Sequence, residues 1–183
     1  PYPTLVRSGN QLDSVSGGGL SNQAYQYDVN GNAVTDGSKN NLQTSYNLLN
    51  LPQTISGSQS ISYQYDASGK MWSRQSPSGL TEYIYGIQYS NRSGTYGIDF
   101  IKTEEGRAVR QADNTYRYEY DIQDHLGNTR VTFDLDPNTG AARPIQEDDY
   151  YAFGKRKSVS LPSGAVSLDN KYLYNGKDIQ DEL

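Results

Sequence analysis

The feature that most constrains this chain is a recurring unit in which two tyrosines, two residues apart, are followed by an aspartate and then a glycine. Its cleanest copy is Tyr63-Gln64-Tyr65-Asp66-Ala67-Ser68-Gly69-Lys70. Residues two apart in a strand project from one face, so Tyr63 and Tyr65 can stack as a pair. Asp66 ends the strand and Gly69 supplies the positive φ that a tight reversal needs. Met71 and Trp72 begin the return strand, where they are expected to fill inner-face space.

The same grammar appears in Tyr25-Gln26-Tyr27-Asp28-Val29-Asn30-Gly31-Asn32. A reduced copy, Tyr46-Asn47-Leu48-Leu49-Asn50, puts Asn50 in the glycine's place, because asparagine tolerates the left-handed region. Asp28, Asn47, Asp66 and Gly86 fall at steps of 19, 19 and 20 residues, the last within Tyr83-Ile84-Tyr85-Gly86. A near-constant period signals stacked units rather than one closed globule. Strands are expected near 24–28, 32–35, 42–46, 52–56, 60–65, 70–75 and 80–86, parted by short glycine turns such as Asp36-Gly37 and Ser78-Gly79. Glycine, β-branched and aromatic residues interrupt every helical stripe. The expected fold is all-β, an antiparallel meander of short hairpins.

Residues 1–23 read as a flexible lead-in or a partial repeat, 24–88 as regular repeats, and 89–183 as a less regular closing segment. That segment holds a turn at Asn91-Arg92-Ser93-Gly94 and a strand over 96–101. Its motifs are Glu104-Glu105-Gly106-Arg107-Ala108-Val109, Asp124-His125-Leu126-Gly127-Asn128, Tyr150-Tyr151-Ala152-Phe153-Gly154 and Tyr172-Leu173-Tyr174-Asn175-Gly176-Lys177-Asp178. In these motifs and in the in-register Tyr-x-Tyr-Asp units, the chain resembles the RHS, or YD-repeat, family and its repeat-associated core of the Bacteroidetes type. Asp178 stands where that core usually has glutamate. The resemblance implies a curved or coiled sheet, part of a hollow shell that encloses or delivers a C-terminal toxin or effector. It further implies a secreted or surface-exposed bacterial protein whose partners are its remaining repeats, the toxin and a secretion or surface machine. Relatives of this type continue into an aspartyl self-cleaving junction, which is absent after Leu183, so the chain is expected not to cut itself.

Composition narrows the alternatives. Hydrophobic residues are only 34% of the 183, and 17 tyrosines supply much of the apolar surface. A formal charge of −5 disfavours a nucleic-acid partner. Glu147-Asp148-Asp149 and Lys155-Arg156-Lys157 read as solvated faces. Without cysteine there is no disulfide and no thiolate metal site, and no apolar run is long enough to span a membrane as a helix.

Candidate chemistry is sparse, and neither an enzyme, a cofactor nor a metal is expected. His125 beside Asp124 could form an oriented base, yet no nucleophile elbow accompanies it, and a residue packed or hydrogen-bonded at the turn that Gly127 reverses explains it better. The Glu104-Glu105 and Asp148-Asp149 doublets point to opposite strand faces and do not make a glycosidase pair. Asp28 to Asn32 alternates oxygen-bearing residues as a calcium loop does, but turn-closing hydrogen bonds account for them. Exposed tyrosine faces leave a carbohydrate-binding or adhesin module as the alternative function. Against it, a ladder of rings zipping neighbouring hairpins explains the same residues. About 16 strands, or about 75 Å of ribbon, are expected, with open edges suited to strand addition or self-association.

Overall fold

The computed structural model describes residues 2–40, 42–91, 94–160 and 170–179, with the side chains of 158–160 excepted. Pro1 of the lead-in, Arg92 and Ser93 of the expected turn, and the final residues 180–183 lie outside them.

Sixteen strands follow one another as β1 (Thr4–Ser8), β2 (Gln11–Gly17), β3 (Leu20–Tyr27), β4 (Ala33–Asp36), β5 (Leu42–Tyr46), β6 (Pro52–Ser56), β7 (Ser60–Tyr65) and β8 (Met71–Ser76). The series continues with β9 (Gly79–Ile84), β10 (Ile87–Ser90), β11 (Gly97–Lys102), β12 (Gly106–Arg110), β13 (Tyr116–Gln123), β14 (Thr129–Leu135), β15 (Ala142–Tyr150) and β16 (Arg156–Ser160). They form one open antiparallel sheet in sequence order, the meander that the turn spacing implies. Residues 4–23 form strands and turns. β1 and β2 are paired from Thr4 with Ser16 to Ser8 with Gln11, and Gly17-Gly18-Gly19 turns the chain into β3.

A register shift recurs at the tyrosine before each loop. Tyr27 pairs with Ala33, Tyr46 with Pro52, Tyr65 with Met71 and Tyr150 with Arg156, each after a slip of one residue. The extra residue on the return strand bulges out of the ladder. In the third repeat that residue is Trp72, so its side chain is 40% exposed rather than packed on the inner face as expected. A one-residue slip reverses the side that a strand residue faces, and this one falls at Trp72.

The chain forms two compact units. Residues up to Tyr83 with Ser90–Thr95 make one, and Ile84–Tyr89 with the described residues from Tyr96 onward make the other. In the first, Val15, Ile61 and Tyr63 are buried beside small polar side chains, Thr35, Ser73, Ser76 and Thr81. Ile55 lies opposite Ile61, and Tyr63 opposite Arg74, which is itself opposite Thr81. In the second, Phe100, Ala108, Val109, Ile145 and Leu173 are buried with charged and amide side chains. Gly106, paired with Tyr120, is required for that approach, since a Cβ there would sit 2.1 Å from the Glu119 carbonyl oxygen.

Candidate functional site: pinned loops and a buried polar strap

Each tyrosine-aspartate unit builds the same five-residue loop. Asp66 Oδ1 accepts the amides of Ser68 and Lys70, both at 2.9 Å, and the Ser68 hydroxyl at 2.6 Å. The Asp66 amide donates to the Lys70 carbonyl, and Gly69 N–H donates to the Asp66 carbonyl. Asp28, Asn47 and Asp124 repeat these bonds with their own loops. The left-handed position falls on Gly31, Asn50, Gly69 and Gly127 in turn, so Asn50 does stand in for glycine, at φ 56°. The donors hold the loop carboxylates below their ordinary range, chiefly Asn32 for Asp28, Ser68 for Asp66 and Asn128 for Asp124. Both oxygens of Asp28 are taken by its own loop, which is turn chemistry rather than a cation cradle.

The tyrosines join one loop to the next, and they do so through their hydroxyls. Tyr46 donates to the Ala33 carbonyl and Tyr65 to the Pro52 carbonyl, both at 2.8 Å. Tyr150 donates to the Thr129 carbonyl at 2.8 Å, and Tyr27 to that of Leu12 at 3.1 Å. In the first two cases the acceptor is the residue paired with the previous repeat's tyrosine. The expected ladder of stacked rings is therefore corrected. Tyr63 and Tyr65 touch within one strand at 6.5 Å and 34°, but the link between neighbouring repeats is a phenol-to-backbone pin. The 4.8 Å strand spacing and two strands per repeat put successive tyrosines too far apart to stack, whereas the hydroxyl gains the extra reach. Side chains add to it, with Asn30 and Asn32 both donating to Asn50 Oδ1 at 3.0 Å.

Tyr83-Ile84-Tyr85-Gly86 is not a fourth copy. Tyr85 and Gly86 are themselves the two turn residues between β9 and β10, at φ 49° and 83°, and Tyr85 is 95% exposed. Tyr83 stays in β9, so the two rings do not share a strand face. Phe153-Gly154 and Asn175-Gly176 repeat that left-handed pair in the loops after Tyr151 and Leu173, though neither loop begins with aspartate.

The second unit carries a buried polar face that the motifs gave no notice of. β13 alternates Tyr116, Tyr118, Tyr120 and Ile122 on one side with Arg117, Glu119 and Asp121 on the other. Glu119 accepts from Arg107 Nε at 2.7 Å and from Arg117. Asp134 accepts two bonds from Arg143, which hold the guanidinium above its ordinary range. Arg107 also lies over the Phe100 ring, 5.4 Å from its centre. The signal available was the charge at every second residue of β13, Arg117, Glu119 and Asp121, opposite the tyrosines.

A strap formed by residues 170–177 closes this face. Asn170 Nδ2 donates to both oxygens of Asp121, at 2.9 and 3.1 Å, and Gln146 exchanges two bonds with the Asn170 backbone. Thr129 bonds the carbonyls of Tyr172 and Leu173. Tyr172 packs edge-on against Phe100 and its hydroxyl reaches Gln88, while Tyr174 lies over Gly154 and beside Tyr150. Burial raises Asp121, opposed by the Thr132 hydroxyl bond.

With this geometry in hand, the chain can be set beside solved structures. Over 96% of its length it superposes on the crystal structure of TcdB2-TccC3-Cdc42 with a TM-score of 0.64 at 13% identity. Over 98% it superposes on the Photorhabdus luminescens Tc holotoxin pore carrying TccC3-D651A, with a TM-score of 0.62 at 12% identity. The fold is RHS-repeat-like. The chain spans 11% of the length of each of those chains. No protein-family profile matches it, and no curated protein does.

Within this RHS-like ribbon, the residues singled out from sequence take structural places. Tyr25, Tyr27, Tyr63 and Tyr65 lie on strands before loops, and Tyr63 is only 5% exposed, with no open face for a sugar. Asp28, Gly31, Asp66, Gly69, Asp124, Gly127 and Asn128 form loops. His125 is an exposed loop tip, and the Asp124 oxygens bond the loop's amides and Asn128 instead of orienting an imidazole. Tyr151 and Phe153 are exposed, whereas Gly154 lies under Tyr174, and Tyr172, Tyr174 and Gly176 belong to the strap.

The pins have a pH signature. Burial raises Tyr46 and Tyr65, and raises Tyr150 from 10.0 to about 12, with Asp148 adding to it. A group that binds its proton more tightly when folded stabilises the fold fully below its unfolded pKa and loses that contribution as pH rises through the folded one. Titration followed by phenolate absorbance should show a class of tyrosines ionising later than free tyrosine, Tyr150 among them at about pH 12, together with loss of strand circular dichroism. Tyr150→Phe should remove one member of the class. An unchanged late class in that variant would discount the assignment of Tyr150.

Proposed function

We propose that this chain is a non-catalytic wall segment of a secreted bacterial RHS/YD-repeat protein, whose coiled ribbon encloses or delivers a C-terminal toxin or effector. The observation that supports it is the repeated lock of loop and tyrosine hydroxyl, which spends the chain's polar groups on holding hairpins side by side. The aspartates of the YD motifs are committed to that task. The likeness to structures described as a Tc holotoxin pore and as TcdB2-TccC3 with Cdc42 is the basis for the toxin part of the reading.

The partners follow from the same reading. They are the remaining repeats of the parent protein, the downstream toxin, and a secretion or surface machine, with an extracellular or bacterial-surface location. β1 has all five residues exposed and, among the described residues, pairs only with β2, so a further strand of such a ribbon can add there.

The test is protection of the downstream region in the full-length parent. Limited proteolysis should leave that region intact while the wall is sound. A Tyr46→Phe, Tyr65→Phe and Tyr150→Phe variant, losing about 1 kcal/mol per pin, should release it to the protease several-fold faster. A downstream region digested as quickly in the intact parent as in isolation would overturn the enclosure.

A further inference from the structure

The loop Tyr151–Lys155 carries a side chain that neither its backbone nor its packing accounts for. Phe153 sits at φ 70°, ψ 19°, followed by Gly154 at φ 85°. Two successive left-handed residues favour Asn-Gly, and Asn175-Gly176 occupies the equivalent positions of the strap loop at φ 52° and 63°. A bulky side chain there is strained by its Cβ, and an aromatic one gains nothing from solvent. Yet Phe153 is 97% exposed, with Tyr151 55% exposed and Ala152 also outside. Strain together with full exposure points to something that the ring meets beyond this chain.

The charges around the tip indicate what that is. Lys155 and Lys157 are exposed, and Lys157 is the bulged residue opposite the Asp149 to Tyr150 step. Of the acids beside the loop, Asp148 is buried against Arg156, Asp149 pairs with Arg130 at 2.6 Å, and Asp124 accepts from the amides and Asn128 of its own loop. Glu147 is exposed but lies three residues farther along β15 from Tyr150. The tip therefore presents an aromatic ring flanked by two cations on a chain whose formal charge is −5.

We infer that the Tyr151–Lys157 tip docks onto an anionic lipid surface. Phe153 enters the boundary between headgroups and acyl chains, Tyr151 lies at the interface, and Lys155 and Lys157 reach lipid phosphates and carboxylates. The acidic remainder is repelled by such a surface, so the contact is made tip first. One ring and two lysines give weak, reversible binding, half-complete near about 1 mM accessible lipid.

The 183-residue chain should be sedimented with vesicles of phosphatidylcholine alone and of phosphatidylcholine with phosphatidylserine at a ratio of about 7:3. Binding is expected to the anionic vesicles only, and to fall as salt is raised. Phe153→Asn should weaken it about tenfold, while its melting temperature is unchanged or higher because asparagine suits the left-handed position. Lys155→Gln with Lys157→Gln, both on exposed side chains, should weaken it about 30-fold. No binding, equal binding to neutral vesicles, or binding indifferent to both variants overturns the proposal. So does concentration-dependent self-association that Phe153→Asn abolishes in the absence of vesicle binding, since the ring would then fit a protein pocket.

Discussion

Glu119→Ala should destabilise the second unit by about 3–5 kcal/mol, because it removes the buried carboxylate to which both Arg107 and Arg117 donate. Glu119 is 1% exposed and accepts from both Arg107 and Arg117, of which Arg107 is itself buried. Against a domain stability of about 5–15 kcal/mol, that is enough to move a urea midpoint far or to leave the unit unfolded. Glu119→Gln keeps one acceptor oxygen but sets its amide NH2 against the other arginine and loses the charge, and should fall between wild type and alanine. Removing both partners, with Glu119→Leu and Arg107→Met, should recover much of the loss, since apolar replacements of similar volume avoid the desolvation cost. A loss under about 1 kcal/mol in Glu119→Ala would mean that the pair is solvated.

Asn170→Ala should peel the strap from the polar face. It removes the Nδ2 bonds to Asp121 and the bond that Oδ1 accepts from the Tyr172 amide at 3.0 Å, at a cost of about 2–3 kcal/mol. Amide exchange of Thr129, which donates to the Leu173 carbonyl, should accelerate along with that of Leu173 itself. The pH dependence separates this account from a general packing defect. Asp121 is held above its ordinary value by burial, so its ionisation costs stability as pH rises from 3.8 through the folded value. Without Asn170 the ionised form loses two donors, so the loss should be large at pH 7 and shrink near pH 4. Asn170→Asp, which sets a second carboxylate against Asp121, should be worse than alanine at pH 7. A loss that is the same at both pH values would remove Asp121 from the argument.

These two results concern the part of the molecule that motif reading missed, while the pins concern the part that it found for a partly mistaken reason. Tyr65-Asp66 and its copies announced the loops because aspartate, asparagine and glycine act locally, within five residues. Whether the preceding tyrosine would meet another ring or a carbonyl depended on the distance between repeats, which no single repeat encodes. The Trp72 bulge is of the same kind, a one-residue slip that reverses the side a residue faces.

What the sequence determined by itself was the all-β meander, its loop positions and the absence of helix-forming stripes, all consequences of short-range backbone chemistry repeated at a steady step. What only the tertiary structure decided was which charges lie under cover. Arg107, Glu119, Asp134 and Asn170 are distant along the chain and polar by type, and their burial becomes favourable only when strand pairing and the strap deliver every partner together.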